Sequence, residues 1–207
     1  MLSSDSLTTV AGEAELVPED CLTPLNFEAI FGREAPIQVD LGCGDGSFLA
    51  SLASDNPDQN FLGIERLFGR VRTACRKVER AGLVNARVMR FEISYAVQYL
   101  VPANSITTFH LMFPDPWPKR RHASRRIISE NLLVSLGRAL VPGGKVWIAT
   151  DDSDYFKQIA RMVSHSPLFE ADNDALAMAA RSKFERRFTQ RGVPIHRLVL
   201  RKLSPVT

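Results

Sequence analysis

Between Phe113 and Arg126 the chain reads Phe-Pro-Asp-Pro-Trp-Pro-Lys-Arg-Arg-His-Ala-Ser-Arg-Arg. Proline fixes φ and restricts the residue before it, so Asp115 is presented on a stiff, extended segment. An indole, Trp117, follows two residues later, and then come the cations Lys119, Arg120, Arg121, Arg125 and Arg126. A carboxylate beside an aromatic ring and a dense positive run suits chemistry on a nucleic acid base. The cations stand near the start of an expected helix, where the macrodipole opposes positive charge. Phosphate contacts and counterion release would offset that penalty. Trp117 either stacks on a base or packs into the scaffold and holds the segment in place.

A second constellation is Val39-Asp-Leu-Gly-Cys-Gly-Asp-Gly-Ser47. Gly42, Gly44 and Gly46 let the backbone turn tightly and let a ligand approach a helix N-terminus. The spacing is not the Gly-x-Gly-x-x-Gly of nicotinamide binders, which disfavours an oxidoreductase. Asp40, just ahead of the loop, would repel a pyrophosphate but suits a cationic cofactor. S-adenosylmethionine carries a sulfonium, an amino group and no phosphate, and the pattern resembles motif I of class I methyltransferases. Glu65 ends the next expected strand, where an acid accepts hydrogen bonds from ribose hydroxyls. Glu92 ends the third, near the expected adenine site. All three acids are expected at one crevice, beside Gly42 and Gly44.

The elements that must position these residues alternate. Strands are expected at Ile37–Leu41, Phe61–Glu65, Ala86–Phe91, Ser105–Met112 and Lys145–Thr150. Helices are expected over 46–53, Phe68–Ala81 (ended by Gly82), Ser94–Leu100, Ser124–Leu140 and Ser153–His165. Ile195–Lys202 alternates like an edge strand. This order predicts an α/β, Rossmann-like, doubly wound and mostly parallel sheet with an antiparallel C-terminal edge strand. Residues 1–34 read as a partly flexible extension with one short helix around Asn26–Phe31, and 35–207 as a single domain.

Composition sets bounds. The 207 residues, 45% hydrophobic and 24% charged, are those of one ordinary globular domain. No apolar run is long enough to span a membrane and the start lacks a signal-peptide pattern, so a cytoplasmic protein is expected. Cys21, Cys43 and Cys75 are odd in number and widely spaced, which argues against disulfides and a zinc site. His122, His165 and His196 are isolated, so no metal is expected. A net charge of +3 says little by itself, but a second basic patch, Arg181, Lys183, Arg186, Arg187 and Arg191, could flank the same cleft.

In motif order, residues 37–202 resemble the bacterial tRNA (guanine-N7)-methyltransferases. The likeness rests on Phe113-Pro-Asp-Pro-Trp-Pro-Lys119 with Arg120–Arg126, and on Gly63-Ile-Glu65, Ala149-Thr-Asp151 and Ser182-Lys-Phe-Glu185. It implies that Asp115 is the catalytic or base-facing acid, and that it and Asp40, Gly42, Gly44, Glu65 and Glu92 border S-adenosylmethionine. Lys119, Arg120, Arg121, Asp151, Ser182, Lys183, Phe184 and Glu185 would contact tRNA. The implied reaction methylates N7 of a variable-loop guanosine, by a monomer or homodimer. Glu92 stands where the family often has Asp, and Ser182 where it usually has Thr. An exocyclic-amine methyltransferase matches less well, because only one proline separates Asp115 from Trp117. A noncatalytic RNA-binding protein on the same scaffold would not need both the crevice acids and Asp115.

Overall fold

The computed structural model describes residues 14–117, 126–179 and 194–203, with side chains omitted for 177–179. A strand over Glu15–Leu16 (β1) and a helix over Phe27–Phe31 (α1) precede the alternating part. Asn26 caps α1 by accepting from the Ala29 amide at 3.1 Å, and Gly32 ends it at φ +66°. Then follow β2 (Ile37–Leu41), α2 (Ser47–Asp55), β3 (Asn60–Glu65), α3 (Phe68–Arg80), β4 (Ala86–Arg90) and α4 (Ile93–Tyr95). A π-helical turn, Ala96–Leu100, extends α4. The second half comprises β5 (Ile106–Met112), α5 (Glu130–Ala139), β6 (Leu140–Thr150), α6 (Ser153–Ser164), β7 (Phe169–Ala171), α7 (Asn173–Ala179) and β8 (His196–Lys202).

The strands form one eight-stranded sheet in the order β1-β4-β3-β2-β5-β6-β8-β7. β1 to β6 run parallel, and β8 pairs antiparallel with β6. The expected antiparallel C-terminal edge is present, lengthened by the three-residue β7 beyond β8. β2 lies between β3 and β5, so the chain leaves β2 in one direction and returns on its other side at β5. The carboxyl ends of these two strands form the switch point where ligands bind in open α/β sheets.

Apolar residues cover both faces of the sheet. Leu49 and Ala53 of α2 pack with Val71, Ala74, Cys75 and Val78 of α3 against Phe61, Ala86 and Val88. In the other core, Leu132, Leu133 and Leu136 of α5 join Val39, Leu41, Leu62, Ile64, Phe109 and Leu111. Runs buried on both faces explain why the parallel strands read as continuous apolar segments.

One helix differs from its expected span. Residues 126–129 are not helical, and α5 begins only at Glu130. Ser129 is extended (φ −139°, ψ 164°) and its side chain accepts from the Leu132 amide at 3.2 Å, which makes it the N-cap. β6 starts earlier than expected, at Leu140. It passes through Pro142-Gly-Gly144 as an irregularity in which Ile106 pairs with Leu140 and Thr108 with Lys145.

Gly46 joins the glycine loop to the packing of α2 on α3. Its φ is +74°, and a Cβ built there would lie 2.6 Å from Ala74 Cβ and 2.7 Å from Ala74 Cα. Glycine is therefore required twice over, by conformation and by contact. Gly46→Ala should lower stability by about 2–4 kcal/mol, seen as a lower urea midpoint at unchanged slope. An unchanged midpoint would mean that α3 moves aside without penalty.

Candidate active site

The carboxyl ends of β2, β3, β4 and β5 surround a cavity of about 560 Å³. Small-molecule sites span about 300–1,000 Å³. Gly42 and Leu41 form one wall, Glu65, Arg66, Leu67 and Arg70 a second, and Glu92 and Ile93 a third. The segment Leu111–Asp115, with Trp117 and Ile127, closes the remaining side. At Gly42 and Gly44 φ is positive, and a Cβ would meet nothing closer than 3.7 Å. These two glycines meet a conformational demand and leave open space beside the backbone.

Two of the acids organise the loops around them. Glu65, 6% exposed, accepts from the Leu67 amide through Oε1 at 2.8 Å and from the Gly44 amide through Oε2 at 3.2 Å. Arg70 Nη1 is 3.9 Å from Oε2. Glu65 thus ties the glycine loop to the start of α3. Glu92 caps α4, accepting from Ser94 and Tyr95 amides at 3.1 and 2.8 Å. An ionised carboxylate has about four acceptor positions, so each acid retains capacity for a ligand's hydroxyls or amines. On the far side of the loop, Lys77 of α3 bonds Asp45 at 2.5 Å and also Ser47. That lysine holds the Asp45 carboxyl below its usual range.

Asp115 occupies the loop that leaves β5. Phe113 donates to the Ala149 carbonyl at 2.8 Å, which extends the β5–β6 ladder by one residue. Phe113 (φ +54°) and Trp117 (φ +42°) both adopt the left-handed region, which costs bulky residues about 1–3 kcal/mol each. Asp115 itself is exposed between them and borders the cavity.

Comparison with known proteins places the chain. Residues 34–198 match the family described as a putative methyltransferase. The chain is 35% identical over 183 residues to the tRNA (guanine-N(7)-)-methyltransferase of Syntrophotalea carbinolica, covering 86% of this chain and 79% of that protein. It is 36% identical over 189 residues to the enzyme of that name from Halorhodospira halophila, covering 88% and 81%. This chain belongs to the tRNA (guanine-N7)-methyltransferase family. Its fold is shared with a solved rRNA methylase of Streptococcus thermophilus, at TM-score 0.56, 13% identity and coverage of 86% and 95%. It is shared also with the phosphoethanolamine N-methyltransferase 2 of Haemonchus contortus, at TM-score 0.53, 14% identity and coverage of 87% and 51%.

In this methyltransferase the cavity brings together Gly42, Glu65, Glu92 and Asp115, with Gly44 joined to it through Glu65. Asp40 departs from the expected arrangement. It is 3% exposed and does not line the cavity, whereas its neighbour Leu41 does. Asp151 is exposed just beyond β6 and outside the cavity lining. Lys119, Arg120, Arg121, Ser182, Lys183, Phe184 and Glu185 lie outside the described residues, as do the other members of the second basic patch. Arg126, grouped by sequence with the phosphate-facing cations, instead bonds protein carbonyls. Arg66, Leu67 and Ile93 go beyond the residues the sequence singles out, although Arg66 and Ile93 directly follow the crevice acids Glu65 and Glu92. Nothing in the local sequence marks Ile127. Among the described residues no group of acids, histidines or cysteines could hold a metal, and no helix is long and apolar enough to cross a membrane.

Behind the cavity lies a covered polar pair. Asp40 on β2 is in register with His110 on β5, and both are buried. Gln38 donates its amide to Gln59 Oε1 at 2.6 Å, which turns its oxygen toward His110 Nε2, also at 2.6 Å. Nε2 therefore carries the proton and Nδ1 is the bare nitrogen. Among the described atoms His110 Nδ1 and Asp40 Oδ2 have no hydrogen-bond partner.

Burial, then the Glu65 charge, pushes the Asp40 carboxyl up to about 7, and burial pushes His110 down to about 3. Their linkages oppose one another. Between about pH 4 and pH 6.5 unfolding releases a proton from Asp40, so its contribution falls as pH rises. Over the same window unfolding takes up a proton at His110, so its contribution rises. Each slope approaches about 1.4 kcal/mol per pH unit. Asp40→Asn should leave the His110 slope unopposed, and its denaturant-derived stability should rise more steeply with pH than the parent's. Parallel curves for the two proteins would place Asp40 in an ordinary solvated state.

Proposed function

We propose that the protein transfers the methyl group of S-adenosylmethionine to N7 of a guanosine in tRNA, at the cavity between the glycine loop and Asp115. The observation that carries this reading is the position of Asp115. It stands on the strained loop after β5 and lines the same cavity as Gly42, Glu65 and Glu92. A cofactor with a ribose, an adenine and a sulfonium suits these groups. Glu65 has acceptor capacity for ribose hydroxyls, and Glu92 for the adenine side. Gly42 and Gly44 let the methionine part approach the backbone.

Guanine N7 already has an in-plane lone pair, so the step needs no strong base. It needs the ring held in line with the sulfonium methyl, which is catalysis by positioning. The N7–methyl bond forms as the sulfur–methyl bond breaks. The sulfur keeps the bonding pair and positive charge moves to the purine. A fixed carboxylate at Asp115 stabilises that developing charge, and it can also accept from guanine N1–H or the exocyclic amine. By resemblance, Lys119, Arg120, Arg121, Asp151 and the Ser182, Lys183, Phe184, Glu185 segment would hold the tRNA.

Incubation with labelled S-adenosylmethionine and unmodified tRNA, followed by nucleoside analysis, should yield N7-methylguanosine. Asp115→Ala should reduce turnover by about a hundredfold or more while calorimetric affinity for S-adenosylmethionine stays within about threefold. Label only in N6-methyladenosine, or none in RNA, would overturn the reading. Loss of cofactor affinity with retained turnover would remove Asp115 from its role.

A further inference from the structure

Arg126 stands at the far end of the segment that begins with Asp115, and its guanidinium is partly buried and bonded to protein through three nitrogens. Nε donates to the Pro116 carbonyl at 2.7 Å, and Nη2 to the Trp117 carbonyl at 3.4 Å. Nη1 bonds Gln158 of α6. The guanidinium carbon lies 5.0 Å from the ring centre of Tyr155, also on α6. Tyr155 is fully buried, and its hydroxyl accepts from the Ile128 amide at 3.2 Å, one step past Ile127 of the cavity wall. The arginine thus bridges a fixed helix to the backbone of the Asp115 loop.

Pro114 and Pro116 have no N–H to donate. Phe113 and Trp117 occupy left-handed backbone, which persists only where the surroundings over-determine it. Phe113 is secured to Ala149 on the β5 side. On the other side, the carbonyls of the two residues that follow Asp115 are gripped by one planar, forked cation. A lysine offers a point charge and no fork, and could not hold both carbonyls while stacking on Tyr155.

We propose that Arg126 is a positioning residue for Asp115, acting through the carbonyls of Pro116 and Trp117 from an anchor on α6, and not a phosphate contact. The proposal rests on the methyl-transfer reading for its kinetic consequence but not for its structural one.

Three variants in a Trp147→Phe background, which leaves Trp117 as the only indole, test it. Arg126→Lys preserves the charge and removes the fork. It should lower kcat about ten- to a hundredfold, with the tRNA KM within about threefold and an unchanged salt slope of tRNA binding. Acrylamide should quench Trp117 more strongly, at an unchanged melting temperature of the domain. Gln158→Ala leaves every charge in place and should move kcat and quenching in the same direction, by less.

A phosphate contact would behave oppositely: Arg126→Lys would keep kcat and quenching at parental values, and Arg126→Gln would raise KM and flatten the salt slope. That pattern would overturn the proposal, as would parental quenching in both Arg126→Lys and Gln158→Ala. If the parent protein itself fails to methylate tRNA, the functional reading fails, while the quenching comparison still decides whether Arg126 holds the loop.

Discussion

The position of β2 between β3 and β5 is the constraint on which the remaining geometry depends. Right-handed crossovers that run one way from β2 to β4 and the other way from β4 to β5 and β6 use opposite faces, so among the described residues no helix covers the carboxyl ends of β2 and β5. An uncovered cleft between two helical layers follows from topology alone. What each strand delivers is then set by its last residue or the one or two residues after it. β2 supplies Gly42, β3 Glu65, β4 the capping Glu92, and β5 the Phe113–Trp117 loop. The glycine loop must also turn while α2 and α3 remain in contact, and for that reason Gly46 faces Ala74 with no room for a methyl group.

Much of this order is legible in the sequence, and the exceptions have physical causes. The parallel strands announce themselves as short apolar runs because both faces are covered. β1 and β7 are two and three residues long and carry no periodic signal; pairing with β4 and β8 makes them strands. The start of α5 was misplaced because Ser124–Leu140 looks helical by composition. The Ser129 cap and the Arg126 contacts outweigh helix propensity over 126–129. Asp40 was read as a mouth acid because it precedes the glycine loop. It is instead buried beside His110 and outside the cavity lining. Burial of Arg126 against Tyr155 depends on a helix about thirty residues distant, and no local pattern encodes such a contact.

The two crevice acids show how structural and binding roles can reside in one group. Glu65 and Glu92 each take two backbone amides before any ligand arrives. Their side chains are therefore ordered in advance, and a ligand that uses their remaining lone pairs need not order them. The same bonds make each acid part of the fold. Glu65 spans the glycine loop and the start of α3, so its loss would disturb the walls it joins as well as the ligand it faces. A drop in ligand affinity on removing such a residue does not measure one contact.

Asp115 is built by the opposite logic. It lies on a loop whose prolines lack donors and whose flanking residues are held in unfavourable backbone, so its order comes from outside the loop. Two of its anchors are the β5–β6 ladder at Ala149 and α6, reached through Arg126. Both depend on the same turn, since Ala149 and Thr150 end β6 and Asp152 caps α6 by accepting from the Tyr155 amide at 2.7 Å. A shift of this turn would move both supports together and carry the carboxylate with them. The Ala149–Asp152 turn therefore governs the placement of Asp115 through backbone and helix, whatever contacts the exposed Asp151 makes on its own account.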